Sequence, residues 1–197
     1  MVLNPNRTEA TVRKIIYSGN ISLDGFMEDK NGDFDWSEPS DEVHSFWNEW
    51  IRDAGAVLMG RRTYESMEPY WTDVAASPSG EEVSDEFARL WVETPRYIVS
   101  STLDSVPDEM TLITDDVEAE IRRLKEAPGG PIDAGGAGLG DTLAELGVID
   151  ELMMVVSPVA LGGGKAFLGP AFFRTKWNLI EHRTFESGPL LLRYEKA

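Results

Sequence analysis

The amino-acid sequence predicts a three-layer α/β/α domain, in which helices cover both faces of a mainly parallel central sheet that ends in antiparallel C-terminal strands. Two observations support this prediction. Short apolar runs alternate with amphipathic helical segments through most of the chain, a pattern that favours parallel strands joined by helices. From Ile149 onward the pattern changes, and two apolar segments flank Ser187-Gly188-Pro189, which predicts an antiparallel hairpin.

The first half of the chain opens with a strand and a helix. Residues 14–17 begin an apolar, β-branched run that predicts a buried strand. After a polar segment over residues 24–39, Ser40 is placed to cap a helix. Apolar residues recur at i, i+3, i+4, i+7 and i+8 along this helix and predict one face against the core. These residues are Val43, Phe46, Trp47, Trp50 and Ile51.

The middle of the chain adds a second strand and two further helices. Residues 56–59 are a continuous apolar run, typical of a strand covered on both faces, and a helix is predicted to begin at Arg61. Residues 69–80 have the composition of a loop. The helical stripe that follows consists of Val83, Phe87, Leu90 and Trp91.

The remaining elements continue the alternation. Residues 97–99 predict a strand, and Asp115 with Glu118 indicates a capped helix that continues to Pro128. A strand over residues 132–134 precedes another helix, and residues 152–156 begin the predicted antiparallel strands. The last helix is marked by Leu139, Leu143 and Leu146.

The composition excludes several classes of protein. A length of 197 residues fits a single domain over residues 13–197, preceded by a short disordered lead over residues 1–12. A formal net charge of −17 argues against a nucleic-acid partner. The absence of Cys excludes a disulfide scaffold and a thiolate zinc site, and with two distant histidines we expect no metal. No apolar run approaches the roughly 20 residues of a spanning helix, so we expect no membrane partner and a cytoplasmic protein.

Three junctions rich in glycine or hydroxyl groups follow predicted strands. They are Gly60-Arg61-Arg62-Thr63, Ser100-Ser101-Thr102 and residues 135–140. Ligands of open α/β sheets bind at the carboxyl ends of strands, so the three junctions point to one crevice. Free N–H groups at a helix start, close backbone approach at glycine and two guanidinium groups all suit a phosphate. The alternative is that the glycines only form tight turns and the arginines lie on the surface.

Familiar motifs do not fit. Gly164-Lys165 lacks both the earlier glycine and the following Ser or Thr of a P-loop. Residues 135–140 read G-G-x-G-x-G after a late strand, which disfavours a standard Rossmann dinucleotide domain. Neither H-E-x-x-H nor G-x-S-x-G occurs, so a zinc hydrolase and a serine hydrolase lack support.

Several segments resemble known families. Gly60-Arg61-Arg62-Thr63-Tyr64-Glu65-Ser66 resembles the strand-to-helix segment of dihydrofolate reductases. Ser22-Leu23-Asp24-Gly25, Gly135-Gly136-Ala137 and Asp150-Glu151-Leu152 with residues 158–164 resemble the reductase domain of riboflavin biosynthesis and its stand-alone relatives. The segments span residues 13–194 in the same order as in that family. The resemblance implies a dihydrofolate reductase-like fold and an NADPH-dependent reductase.

The resemblance also implies where NADPH would bind. Gly60, Arg61, Arg62 and Thr63 would surround the cofactor phosphates, and Ser100 and Ser101 would lie near the adenosine. The pyrophosphate would lie on the last junction, formed by Gly135, Gly136, Ala137, Gly138 and Leu139. Ile21 and the loop up to Phe26 would lie against the nicotinamide.

The substrate side departs from both families. An ungapped count puts His44 where dihydrofolate reductases carry a carboxylate, and Phe26 stands where riboflavin-pathway reductases usually have a basic residue. Asp24 and His44 are the candidate acid–base groups, because hydride delivery to C=N or C=O requires a proton. The alternatives are that Asp24-Gly25 is a turn and that His44 lies on the solvent side of its helix.

Two further residues could contact a flat substrate. Trp36 and Trp47 could stack on a heterocycle, although Trp47 also fits the core stripe. The leading hypothesis is therefore hydride transfer from NADPH to a small heterocycle or carbonyl compound. The alternative is a non-catalytic NADPH-binding module. The expected partner is a small-molecule substrate, and a homodimer is left open.

Overall fold

The computed structural model describes residues 12–197, so the predicted disordered lead lies outside the described part except for Val12. The strands are β1 (Ile15–Ile21), β2 (Phe26–Glu28), β3 (Ala56–Gly60), β4 (Arg96–Val99), β5 (Met110–Ile113), β6 (Ile132–Gly135), β7 (Glu151–Val156), β8 (Lys165–Ala166), β9 (Trp177–Thr184) and β10 (Leu190–Lys196). The helices are α1 (Asp41–Asp53), α2 (Arg61–Ala76), α3 (Glu82–Glu93), α4 (Val117–Glu126) and α5 (Ala137–Glu145).

Eight strands form one sheet in the order β5-β4-β3-β6-β1-β7-β10-β9. The six strands from β5 to β7 are parallel, and β10 pairs antiparallel with both β7 and β9. The sequence prediction for the tail is therefore wrong for β7, which pairs parallel with β1 from Glu151 to Val156. Its near-continuous burial fits a strand covered on both faces. The hairpin of β9 and β10 is confirmed.

Apolar side chains on the two faces of the sheet form separate cores. Ile15, Tyr17 and Leu58 point toward α4 and α5, where Ile121 and Leu143 complete the packing. The intervening residues of the same strands point the other way and pack beneath α1, α2 and α3. This alternation follows from the two-residue period of a strand, and it produces the predicted three layers.

Three local features differ from what the sequence predicts. The loop predicted over residues 69–80 is wrong for residues 69–76, because α2 continues through Pro69 to Ala76, and is correct for residues 77–80. The ring of Trp71, two residues beyond Pro69 on α2, lies 4.5 Å from that of Phe87 on α3, and this packing offsets the cost of an interior proline. Strand β5 was not predicted. Helix α4 begins as expected, but its N-cap is Asp116 at φ 46° with no side-chain capping bond.

Candidate functional site

The three predicted junctions lie side by side at the carboxyl edge of the sheet. β3 is bonded to β4 on one side and β6 on the other, with Gly60 opposite Val99 and Met59 opposite Gly135. β1 follows β6 in the sheet, so the loop after Ile21 leaves from the same edge. The topology thus brings together segments that are far apart in sequence.

Two helices begin at this edge without a side-chain cap. The N-cap residues are Gly60 for α2 and Gly136 for α5, and neither can supply a capping oxygen. Uncapped N-termini leave backbone N–H donors free and carry the positive end of the helix dipole. Gly136 has φ +98°, a left-handed conformation that disfavours other residues.

The two helix starts lie against each other. A Cβ atom placed on Gly136 would collide with Oγ1 of Thr63, and one placed on Gly60 would lie 3.7 Å from Cβ of Leu139. By contrast, a Cβ on Gly135 or Gly138 would meet no atom within 4 Å. The edge therefore contains an open space lined by backbone and bordered by free N–H groups, which suits the approach of a phosphate.

The basic and hydroxyl side chains of the first two junctions differ in what they contact. Nη1 of Arg61 lies 2.8 Å from Oε1 of Glu65, one turn along α2. Within residues 12–197, Arg62 is exposed and makes no ion pair. The buried Ser100 hydroxyl accepts the backbone N–H groups of Thr102 and Leu103, each at 3.1 Å, and so shapes the loop after β4. Ser101 is exposed.

Asp24 connects the loop after β1 to the loop after β7. Its carboxylate accepts the N–H groups of Leu161 at 3.1 Å and Gly162 at 2.7 Å, and the Ser22 hydroxyl at 2.7 Å. The Leu161 amide is the largest of the effects that hold the pKa of Asp24 at about 2, well below its usual range. Such a carboxylate carries no proton near neutral pH, so the geometry favours a positioning role. Ser22 Oγ also accepts the Phe26 amide, which fixes the start of β2.

His44 lies in the packing between helices. Its imidazole is 5.8 Å from the ring of Trp71 on α2 and 5.5 Å from that of Phe87 on α3. Burial lowers the pKa of His44, which disfavours the charged form. These contacts favour a packing role, and the assignment of His44 as a proton source stays a prediction.

The two predicted substrate tryptophans occupy different places. Trp47 is half-buried on α1 and donates its indole N–H to Oδ1 of Asn20 on β1 at 3.1 Å. Trp36 lies in a short 3₁₀ turn of the segment before α1 and donates to the carbonyl of Asp33 at 3.2 Å. Of these two indole N–H groups, that of Trp47 bonds to the sheet and that of Trp36 bonds within its own segment.

The sequence reasoning missed Asp133, which lies on β6 between the apolar residues Ile132 and Ala134. Its Oδ1 accepts the Ser18 hydroxyl at 2.5 Å and the Trp50 indole N–H at 2.8 Å. Burial raises the pKa of this carboxyl above its ordinary value. An isolated acid inside an otherwise apolar strand is the one sequence signal that could have identified it.

Two surface cavities lie at the opposite, amino end of the sheet. The larger, about 500 Å³, is lined by residues that include Glu68, Asp73 and Glu109, and its single arginine, Arg96, is already paired with Glu68. An acidic lining does not suit a phosphate. The smaller, about 420 Å³, is bordered by Ala54, Gly55 and Pro95, and has neither a helix start nor a glycine cradle. Of these places, only the carboxyl edge combines free helix-start N–H groups with open space beside glycine.

Over residues 12–197, no group of three or more His, Asp or Glu side chains is arranged to hold a metal ion. No helix in the same range has the length and apolar character needed to cross a membrane.

The chain has a dihydrofolate reductase-like fold. Dihydrofolate reductase from Enterococcus faecalis, solved with NADP(H), has a TM-score of 0.63 at 14% identity, covering 93% of this chain and 96% of that one. The "Putative riboflavin biosynthesis protein" of Shewanella sp. PV-4 has a TM-score of 0.71 at 21% identity, covering 93% of this chain and 99% of that one. Residues 13–191 match the RibD C-terminal domain, and the chain belongs to that family. The uncharacterized protein YyaP of Bacillus subtilis (strain 168) is 28% identical over 183 residues, covering 92% of this chain and 94% of YyaP.

Proposed function

We propose that this protein is an NADPH-dependent reductase that transfers a hydride to a C=N or C=O bond of a small heterocycle or carbonyl compound. The observation that carries the proposal is the pair of uncapped helix starts at Gly60 and Gly136, which border an open, glycine-lined space. Family membership and the fold of a dihydrofolate reductase solved with NADP(H) support the same cofactor.

The residues of the edge fit the parts of NADPH. The free N–H groups of Ala137, Gly138 and Leu139 at the start of α5 would bind the pyrophosphate. Arg62, with Arg61 and the Thr63 hydroxyl, would bind the additional phosphate that distinguishes NADPH from NADH. NADPH supplies the hydride when bound, and the loop from Ile21 to Phe26, held by Asp24, would cover its reactive end.

The substrate side favours a flat, uncharged compound. Phe26 and Trp47 offer aromatic surface, and the expected basic partner for a substrate phosphate is absent at position 26. An apolar pocket discriminates less strongly between substrates than one built on hydrogen bonds, so we expect loose specificity and weak turnover of dihydrofolate.

The direct test is a titration of NADPH and NADH, followed by fluorescence. Wild type should prefer NADPH, and Arg61→Ala with Arg62→Ala should remove that preference at a cost of about 1.5–3 kcal/mol. Arg89→Ala is the matched control, because Arg89 is also an exposed helix arginine paired with a glutamate four residues on. Equal wild-type affinities for the two nucleotides would contradict the assignment of the arginines.

Steady-state assays then separate an enzyme from a binding module. The loss of NADPH absorbance is measured with four kinds of candidate hydride acceptor: dihydrofolate, a phosphoribosylated aminopyrimidine, quinones and carbonyl compounds. A reductase should oxidise NADPH with at least one quinone or carbonyl compound. Tight NADPH binding without oxidation by any acceptor would favour the non-catalytic module instead.

A further inference from the structure

Asp133 lies on the sheet face that α1 covers. Its register neighbours are Ile16 on β1 and Val57 on β3, both of which pack on that side of the sheet. The flanking Ile132 and Ala134 point into the core beneath α4 and α5. Asp133 is therefore the one acidic residue of β6, and it faces the layer between the sheet and the tryptophan-rich helix.

The two oxygens of Asp133 have different surroundings. Oδ1 accepts both the Ser18 hydroxyl and the Trp50 indole N–H. Among the residues that the structure describes, no donor reaches Oδ2, and the side chain keeps some exposure. The carboxyl is thus fixed through one oxygen while the other is free to contact a ligand.

Gly135 lies between Asp133 and the carboxyl edge of the sheet. Gly135 lies on the same face, two residues nearer the end of β6, which corresponds to about 6.6 Å along the strand. A Cβ at Gly135 would meet no atom within 4 Å. Glycine at position 135 therefore leaves open space on the face of the sheet that carries Asp133.

The groups that face Asp133 are uncharged. Ser18 from β1 and Trp50 from α1 are neutral donors, and the β3 neighbour is Val57. The guanidinium of Arg193 on β10 lies 5.6 Å from the centre of the Trp50 ring, and Arg193 is already paired with Glu151. Burial is the largest effect on the pKa of Asp133 and raises it.

We propose that the carboxyl of Asp133 is the proton source for the bond that is reduced, an inference that rests on the proposed reductase function. Reduction of a C=N or C=O bond adds the hydride to carbon, and the electron pair of the broken π bond moves to nitrogen or oxygen. That atom takes the proton from Oδ2 of Asp133, and water returns a proton to the carboxylate. NADPH, one proton and the acceptor thus become NADP⁺ and the reduced acceptor.

The first measurement needs no turnover. The indole N–H of Trp50 reports the charge of Asp133, because it donates to Oδ1. Its ¹H–¹⁵N cross-peak, assigned with Trp50→Phe, should shift with a midpoint above about pH 4, the ordinary range of Asp. Asp133→Asn, which keeps the size of the side chain, should abolish the shift. A cross-peak that titrates only below that range, or that titrates unchanged in Asp133→Asn, would overturn the proposal.

The second measurement is NADPH oxidation with the quinone or carbonyl acceptor that wild type reduces best. Asp133→Asn should bind NADPH within about twofold of wild type and lose roughly 100-fold or more in kcat, the usual contribution of general acid catalysis. Wild-type kcat should fall as pH rises through the Asp133 midpoint. Ser18→Ala removes a donor to the ionised form, so the fall should move to higher pH, which a purely structural role would not produce.

The outcomes separate the two proposals. If wild type binds no NADPH or reduces no acceptor, the reductase proposal fails and the proton-source proposal fails with it. If wild type is active and folded Asp133→Asn keeps its rate and pH profile, the role of Asp133 alone is refuted. A slow Asp133→Asn variant with normal NADPH affinity and no alkaline loss of kcat supports both.

Discussion

The two ends of the parallel sheet differ in how their polar groups are paired: buried ion pairs lie at the amino end, and unpaired helix-start N–H groups lie at the carboxyl end. At the amino end, Lys14 and Arg193 both pair with the buried Glu151, at 2.5 and 2.6 Å. Glu68 and Arg96 form a second buried pair at 3.3 Å. At the carboxyl end the helix starts are uncapped and the glycines border open space.

This difference in pairing means that the amino end contributes mainly to folding stability and the carboxyl end mainly to ligand affinity. In each ion pair at the amino end, the two opposite charges compensate each other inside the protein. Removing one partner therefore leaves a buried charge without compensation. Free donors at the carboxyl end are satisfied only by water or a ligand, so they contribute little to folding. Substitutions at the first end should therefore change stability, and substitutions at the second should change ligand affinity.

The largest expected effect is on stability, from Glu68→Ala at the amino end. The substitution leaves the Arg96 guanidinium buried without its carboxylate and removes the acceptor of the Trp91 indole N–H. We expect the free energy of unfolding to fall by about 3–5 kcal/mol, measured by urea denaturation, while the NADPH affinity of the folded protein stays unchanged.

The matched control is Glu65→Ala, three residues earlier on the same helix. Glu65 makes an exposed pair with Arg61, with side-chain exposures of 46% and 44%. Exposed pairs contribute about 1 kcal/mol or less, so this variant should be nearly as stable as wild type. Equal losses from both variants would show that the position on α2, rather than the buried charge, matters.

The next largest effect is on affinity, from Gly138→Asp at the carboxyl end. The new carboxylate would enter the open space at the start of α5 and repel the pyrophosphate. We expect NADPH affinity to fall by about 1.5–3 kcal/mol, roughly 10- to 150-fold. Stability should hold or rise, because an acidic residue in the first turn favours the helix dipole. Thermal unfolding with and without NADPH measures both quantities.

Gly138→Ala is the control for Gly138→Asp. A methyl group in that open space meets no atom within 4 Å, so affinity should change little. If the aspartate variant binds NADPH as well as the alanine variant does, the start of α5 does not bind phosphate.

The same contrast explains what the sequence could predict. The glycine-rich junctions and the Ser40 cap depend on local backbone requirements, which are visible in short segments. Parallel topology then places strand ends at one edge, so the clustering of the three junctions could be predicted from the order of elements. The fold class and the family resemblance were accordingly correct.

The missed features depend on distant partners. Asp133 is held by Ser18 and Trp50, which lie 115 and 83 positions away in sequence. Helix α2 continues beyond Pro69 because Trp71 packs on another helix, and no local sequence pattern predicts that contact. Local propensity gives way to tertiary packing at such places.

The smallest expected effect concerns Asp24, a carboxylate at the carboxyl end of the sheet that accepts two backbone N–H groups. Its pKa of about 2 lies below that of an unfolded Asp, so it stabilises the protein above about pH 4, and this stability is lost as pH falls through 2. Asp24→Asn should therefore flatten the decline of stability between about pH 4 and 2.

Asp85→Asn is a matched control, because Asp85 also accepts two backbone N–H groups, from Ser79 and Gly80. Both variants should lose acid sensitivity in denaturation measured across pH, but only Asp24→Asn frees the loop beside the proposed nicotinamide site and should raise KM for the acceptor. A KM that rises equally in both would show that Asp24 does not position that loop.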